Sequence, residues 1–511
     1  MKNILIKNLL VLSIITCSAS YSAVTFKVKP SSTNAKIPGK QSQNRNNISR
    51  NAIYSNYKKD NEKDNKKNEE NTDKKDNNTI VDPNTVKLTI SGSASFSGAA
   101  ATSKNEYYDG NKPCSLISND NNQKSTALTK NDRDGLEFVA GEAELDFKVS
   151  GKMSDDTECG AVIVINAEKG DIDIDKMYLQ LINNRRFGTF KCGNLKGADD
   201  SYIFSGQQLL EANFGIDGII TSQLDYATGA VNPRGPIGFS NKATKIFYST
   251  PDFAGFTLGI SYTPDTRHVG HDNRNKGSKA FGNNALYAGG DDDKEKPYGI
   301  HNVALGIKYD KDFGNGFKVR GAFVFVNENT QDITTTCYTG SITKDSKPTS
   351  EKIKLNNANS WMASLELTYN QFTIAAGYYR SGKSRLPKAE EFNKDGQIRL
   401  FPAFMVDKDG NSGHAWNIGA KWNVNDKFAL TGVYHNASRK ITKNEKATAK
   451  VLTLAAEYKF NKNFKLFGEV DLLRSTSSSY ACSLYNLNRK EKNAIMKTNS
   501  ALFSVGMTLS F

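Results

Sequence analysis

The sequence predicts an all-β protein: a transmembrane antiparallel β-barrel of about 16 strands, preceded by a disordered N-terminal extension. Three observations carry this reading. In the last eleven residues, Ala501, Phe503, Val505, Met507, Leu509 and Phe511 share one face of an extended strand. Leu502, Ser504, Gly506, Thr508 and Ser510 share the other. Side chains alternate across a strand, so one face can meet lipid while the other meets water. Segments with this alternation recur after Pro83, joined by short turns and by polar loops. Their number is even, which lets an antiparallel sheet close with no free edge, and closure is what lipid demands of backbone polar groups.

The chain begins with Lys2 and Lys7 around a short apolar run, Leu9 to Ile15, then Ser18, Ala19, Ser20, Ser22 and Ala23. Residues 1–23 therefore read as a secretory signal peptide, too short to stay as a spanning helix. Residues 24–83 are a Lys/Asn-rich tail on the periplasmic side. From Tyr57 to Asn78 they hold no core-forming side chain after Tyr57, and such a stretch cannot offset its ordering entropy. The formal net charge is +14, of which the segment 24–80 carries +6, the signal +2 and the remaining 431 residues +6. Basicity concentrated in a tail is weak support for nucleic acid, and none is expected as a partner. Beyond the signal no segment approaches the eighteen or more apolar residues a transmembrane helix needs, and the mean hydropathy of −0.56 taken alone suggests a soluble secreted protein. It does not exclude a barrel, because half of each strand faces water.

Residues 84–511 form the barrel domain. Strands are expected near 88–97, 137–149, 160–168, 172–183, 186–194, 243–250, 255–263, 301–310, 316–327, 358–370, 371–380, 413–423, 427–437, 448–460, 463–474 and 499–511. Val303, Leu305, Ile307 and Tyr309 form one outward face, and Phe317, Val319, Phe323 and Phe325 another, with Lys318 and Arg320 inward. Short turns, such as Asn370-Gln371, belong on the periplasmic side, and loops of about 13 to 40 residues outside the cell. Aromatics gather at the strand ends, as interfacial girdles require: Tyr309, Phe317, Trp361, Tyr369, Trp422, Phe428, Tyr458, Phe460 and Phe464. Sixteen strands are wide enough to enclose an aqueous channel.

Two hairpins carry a family resemblance. Asp175-Lys-Met-Tyr-Leu-Gln-Leu181 followed by Arg186-Phe-Gly-Thr-Phe-Lys-Cys-Gly193 is similar to a hairpin of the trimeric general porins of Gram-negative bacteria. Lys245-Ile-Phe-Tyr-Ser-Thr-Pro-Asp-Phe-Ala-Gly-Phe-Thr-Leu-Gly-Ile-Ser-Tyr262 resembles a later hairpin of the same family. The terminal Phe511 resembles the assembly signal of bacterial outer-membrane barrels. The resemblance implies passive diffusion of small hydrophilic solutes and ions through the outer membrane. It also implies a homotrimer, contacts with outer-membrane lipids and insertion by the barrel assembly machinery.

In that family the third loop folds into the barrel and narrows the pore. Here it is Leu195 to Lys242, and its candidate constriction acids are Asp199, Asp200, Glu211 and Asp217. Its apolar Phe204, Leu209, Leu210, Phe214, Ile216, Ile219 and Ile220 suit a place inside the barrel better than bulk water. Alternation assigns Glu142, Glu144 and Asp146 to the pore wall, with Lys191, Lys308 and Arg320 as opposing bases. Two places where the family often has a basic residue hold Asn194 and Phe247, which leaves ion preference open. The acids point to a mild cation preference.

Five cysteines follow the signal, with no Cys-x-x-Cys pair, so neither a metal nor a cofactor is expected. Cys114 and Cys482 lie in loops that closure makes neighbours. Asp291, Asp292 and Asp293 read as a solvated acidic loop. The histidines, His268, His271, His301, His414 and His435, sit in no recognisable nucleophile motif, so no enzyme is expected. The alternative to a channel is a surface barrel with a plugged lumen, and a barrel hydrolase is less favoured.

Overall fold

The computed structural model describes residues 25–28, 86–109, 112–113, 135–154, 156–168, 171–210, 240, 242–267, 298–337, 349–386, 388, 409–410, 413–440, 443–444, 446–477 and 494–511. Sixteen long strands build the barrel. They are β1 (Val86–Asp109), β2 (Gly135–Ser154), β3 (Thr157–Glu168), β4 (Asp171–Asn183), β5 (Gly188–Asn194), β6 (Thr244–Ser249), β7 (Phe256–Asp265) and β8 (Gly299–Asp312), then β9 (Phe317–Thr330), β10 (Ala358–Tyr369), β11 (Phe372–Gly382), β12 (Gly413–Asn423), β13 (Phe428–Lys440), β14 (Lys446–Lys459), β15 (Phe464–Ser477) and β16 (Ala494–Ser510). Each pairs antiparallel with the next, and β16 pairs with β1 from Ser510–Ser93 to Ala494–Asp109. All sixteen expected strands are present and the ring is closed.

The seam ends at Phe511. Its N–H donates to the Gly92 carbonyl at 3.0 Å, and the Gly92 N–H returns a bond to the Phe511 carbonyl at 3.1 Å. Gly92 has no side chain for a reason: a Cβ there would stand 2.8 Å from the Phe511 ring. Below this point β1 would have a bare edge. Thr25–Val28 pairs antiparallel with Val86–Thr89 and fills it. This short strand falls inside the segment expected to be a tail. Its β-branched and aromatic residues suit pairing, which a reading based on the Lys/Asn-rich part overlooks. The signal peptide and the rest of the tail lie outside the described residues.

The alternation has the expected sense. Leu258, Ile260, Leu305, Phe323, Leu365, Ile418, Leu454, Phe503 and Val505 are exposed on the outer face, Leu454 at 52%. Ring pairs mark both rims: Phe372–Trp422 and Phe460–Phe464 at the short-turn rim, Trp361–Tyr378 and Trp416–Tyr434 at the other. The inner face is less polar than a water-filled channel suggests. Val324, Val326, Met362, Val433, Val451, Leu473 and Leu502 belong to one buried cluster with Leu195, Ala198 and Tyr202.

β3 and β4 are joined by two residues, close to the three that the expected spans leave, whereas β13 and β14 are joined by five, half the length expected there. The strands run past their apolar bands: Lys440 pairs with Lys446 and Thr448 with Thr476, although none of these is hydrophobic. Backbone pairing does not need lipid-facing side chains, so hydropathy underestimates strand length. A second hairpin, Ile333–Cys337 with Thr349–Ile353, stands within the connection between β9 and β10.

Candidate pore constriction

After β5 the chain turns inward and runs along the inner wall. Helix α1 (Ala198–Ser201) is followed by a 3-10 turn, Gly206–Leu209. Ser205 and Gln208 close a capping box, with the Ser205 N–H donating to Gln208 Oε1 at 3.0 Å. Four hydrogen bonds fix the path. The Ala198 N–H donates to Ser261 Oγ on β7 at 3.2 Å, and the Tyr202 hydroxyl to Ser249 Oγ on β6 at 3.1 Å. The Phe204 N–H donates to Ser364 Oγ on β10 at 3.0 Å, and the Gly206 N–H to Asn417 Oδ1 on β12 at 2.8 Å. Within nine residues the loop therefore crosses the wall from β6 to β12.

The wall is shaped to receive it. Tyr202 lies over Gly259 and Gly306, where an added Cβ would come within 2.8 and 2.7 Å of the ring. Farther on, a Cβ on Gly206 would meet the Gly419 nitrogen at 2.6 Å. Backbone touches backbone there, and only glycine permits it.

The charged residues divide into a root and a wall. At the root, Ser240 Oγ donates to Asp199 Oδ2 at 3.4 Å, and Lys245 Nζ to the Ser240 carbonyl at 3.5 Å. Asp199 is fully buried, and Asp200 pairs with Lys196 at 3.2 Å. Burial pushes the Asp199 carboxyl up to about 6, against the lowering effect of the Lys245 charge. Lys242 pairs with Asp175 on β4. Both ends of the loop are thus pinned at one place, and Asp199 belongs to that pin. Glu211 and Asp217 lie outside the described residues.

On the wall, Glu144 stands 4.0 Å from Lys176 and Asp146 lies on the inward side of β2. Glu142 is on β2, with its side chain outside the described residues. Lys191 lies 5.3 Å over the Tyr178 ring. Lys308 lies 5.5 Å over Tyr202, and Arg320 5.0 Å over Phe204. Arg320 also donates from Nε to Glu366 Oε1 at 2.8 Å. Two of the expected wall bases thus hold the loop's aromatics by cation–π contact. The reading of the sequence missed Glu366, Ser364 and Asn417. It also missed Glu328, buried beside Arg385, which donates to it from Nε and Nη2 at 2.8 Å each. Inward glycines recurring on consecutive strands were the available signal for the loop's track.

Of the free cysteines described, Cys192 faces outward from β5, and the Cys159 thiol donates to the Gly151 carbonyl at 3.6 Å. Cys114, Cys482, His268, His271 and the acidic run 291–293 lie outside the described residues.

Residues 87–478 match the family model described as Gram-negative porin. The chain belongs to that family. It is an outer-membrane porin, a β-barrel channel. Among solved structures it is similar to in-vitro folded OmpT, an outer membrane protein of Vibrio cholerae, at 13% identity and a TM-score of 0.46, covering 85% of this chain and 99% of that one. It is similar to Salmonella typhi OmpF in complex with daunomycin at 13% identity and 0.46, covering 83% and 98%. It is also similar to the anion-selective porin from Comamonas acidovorans at 12% identity and 0.44, covering 83% and 100%. No curated protein matches the chain.

Proposed function

We propose that this porin passes small hydrophilic solutes and ions by passive diffusion through a lumen narrowed by the loop after β5, with a mild preference for cations. The observation that supports it is the hydrogen-bonded track of residues 198–206 across the inner wall. The sign of the preference rests on Glu144 and Asp146 of the wall and on Asp200, Glu211 and Asp217 of the loop, while Glu366 offsets the charge of Arg320. At close range such charges are incompletely screened, and salt weakens them. Reversal potentials across a KCl gradient test this reading. Replacing Asp200, Glu211 and Asp217 together by Asn or Gln shifts them toward anions, most at low salt. An unchanged reversal potential places these acids outside the ion path.

A second reading has its own observation. Inward-facing Val433, His435, Ala437, Thr453, Ser475 and Ser504 are all 0% exposed. A lumen covered on that side conducts little, and bilayer recordings separate the two readings by size of step.

A homotrimer inserted into outer-membrane lipid by the barrel assembly machinery completes the proposal. Its support is family membership and an apolar groove of about 530 Å³ on the lipid face, lined by Val149, Gly151, Cys159, Ala161, Leu179 and Phe190 among others. Native mass measurement of the detergent-extracted protein reads the stoichiometry, and a monomer at all concentrations contradicts it.

A further inference from the structure

At the long-loop rim the outer face of β11 to β15 turns from apolar to basic within one alternation. Arg380 follows Tyr378 on β11, and His414 precedes Trp416 on β12. On β14, Lys446 and Lys450 precede Leu452, and on β15 Arg474 follows Leu472. All five are exposed. Register fixes their direction. Arg380 stands opposite Trp361 and His414, and Lys450 directly opposite Arg474. The strands β11 to β15 hold only three acids, Glu457, Glu469 and Asp471, and these face the lumen at 2%, 1% and 0% exposure. The outer face of these strands therefore carries cations with no carboxylate beside them on that face. Like charges directly opposite across a ladder destabilise it, as Lys450 and Arg474 must when nothing lies between them.

The belt continues past β11 into a polar recess of about 350 Å³ lined by Asn356, Asn357, Asn359, Lys383, Ser384 and Lys388. Below it lies the ring girdle of Trp361, Tyr378, Trp416 and Tyr434, the level at which membrane meets water. A soluble anion has no reason to sit on the outside of the barrel directly above lipid-facing Leu452 and Leu472. A phosphate attached to acyl chains does.

We propose that this face binds phosphate-bearing lipid headgroups of the outer leaflet. Arg380, Lys446, Lys450 and Arg474 meet the phosphate oxygens, the arginines by paired N–H donors, and the recess takes the polar remainder of a headgroup. The inference rests on the outer-membrane location and is independent of conductance.

The test is native mass spectrometry of the full-length protein in neutral detergent, with phosphatidylglycerol as the anionic probe, phosphatidylcholine as the neutral one and inorganic phosphate as competitor. Wild type retains phosphatidylglycerol over phosphatidylcholine, and inorganic phosphate does not displace it. The R380Q/K446Q/K450Q/R474Q variant loses retention by about fivefold for each cation removed. Heat-modifiable mobility verifies that it folds. K450E, which sets a carboxylate opposite Arg474, is the second variant: it melts above wild type in neutral detergent and gains less from phosphatidylglycerol. Equal retention by wild type and the quadruple variant overturns the proposal. So does displacement by inorganic phosphate, which marks a soluble-anion site instead, or an equal gain in melting temperature by K450E and wild type.

Discussion

Phe511 joins the end of the chain to its first barrel strand through two backbone hydrogen bonds with Gly92. This seam closes the ring, and an unclosed barrel leaves backbone groups unpaired in lipid, so deleting Phe511 lowers the amount of folded protein in the outer membrane. Heat-modifiable mobility and surface labelling check this, and unchanged values contradict it. Asp199 gives the root of the loop a pH dependence. Its folded value of about 6 lies above the ordinary 3.8, so protonation favours the docked root. That stabilisation is complete below pH 4 and is lost as pH rises through 6, a span worth roughly 3 kcal/mol. Limited proteolysis of the loop therefore increases from pH 4 to 7 in wild type and stays flat in Asp199→Asn. Matching profiles would refute the assignment. Glu328 stands for the residues invisible to sequence reading. Alternation places it inward on β9, but nothing in the sequence pairs it with Arg385, which lies beyond β11 in a backbone conformation with φ of 59°. Removing its carboxylate leaves a buried guanidinium, at a cost of about 3–5 kcal/mol. Denaturation of Glu328→Ala measures it.

Strands were legible because lipid on one side and polar lumen on the other impose a period of two, and this survives low overall hydropathy. Their upper ends were not, because Lys440, Lys446 and Thr476 pair through backbone above the apolar band. The pairing of Thr25–Val28 with β1 was hidden for another reason: four residues inside a polar segment carry too little pattern to separate from their surroundings. At this scale the outer face makes a simple forecast. Leu454 lies mid-band and 52% exposed to lipid, so Leu454→Arg costs about 2–4 kcal/mol in a bilayer. Unfolding in lipid vesicles measures that cost, and a neutral effect means the band is misplaced. The loop's inward course was expected from the family resemblance, with its apolar residues in support, but its track was not. That track depends on single hydroxyl and amide partners contributed by four different strands.

The molecule as a whole is a closed ring whose inner wall is made uneven on purpose by one loop. At Gly206 against Gly419 that crossing meets the wall backbone to backbone, and the contact tolerates no Cβ. Single-channel recording of wild type against Gly419→Val in planar bilayers tests whether the loop narrows a conducting lumen. Valine keeps the inward position on β12 and leaves the strand's pairing intact, but it displaces the loop from the wall. A loop seated on the wall gives discrete steps for wild type and an altered step size with greater current noise for the variant, with both proteins equally heat-modifiable. Identical steps and noise would contradict it, because a lumen indifferent to the loop's seat is not constricted by the loop.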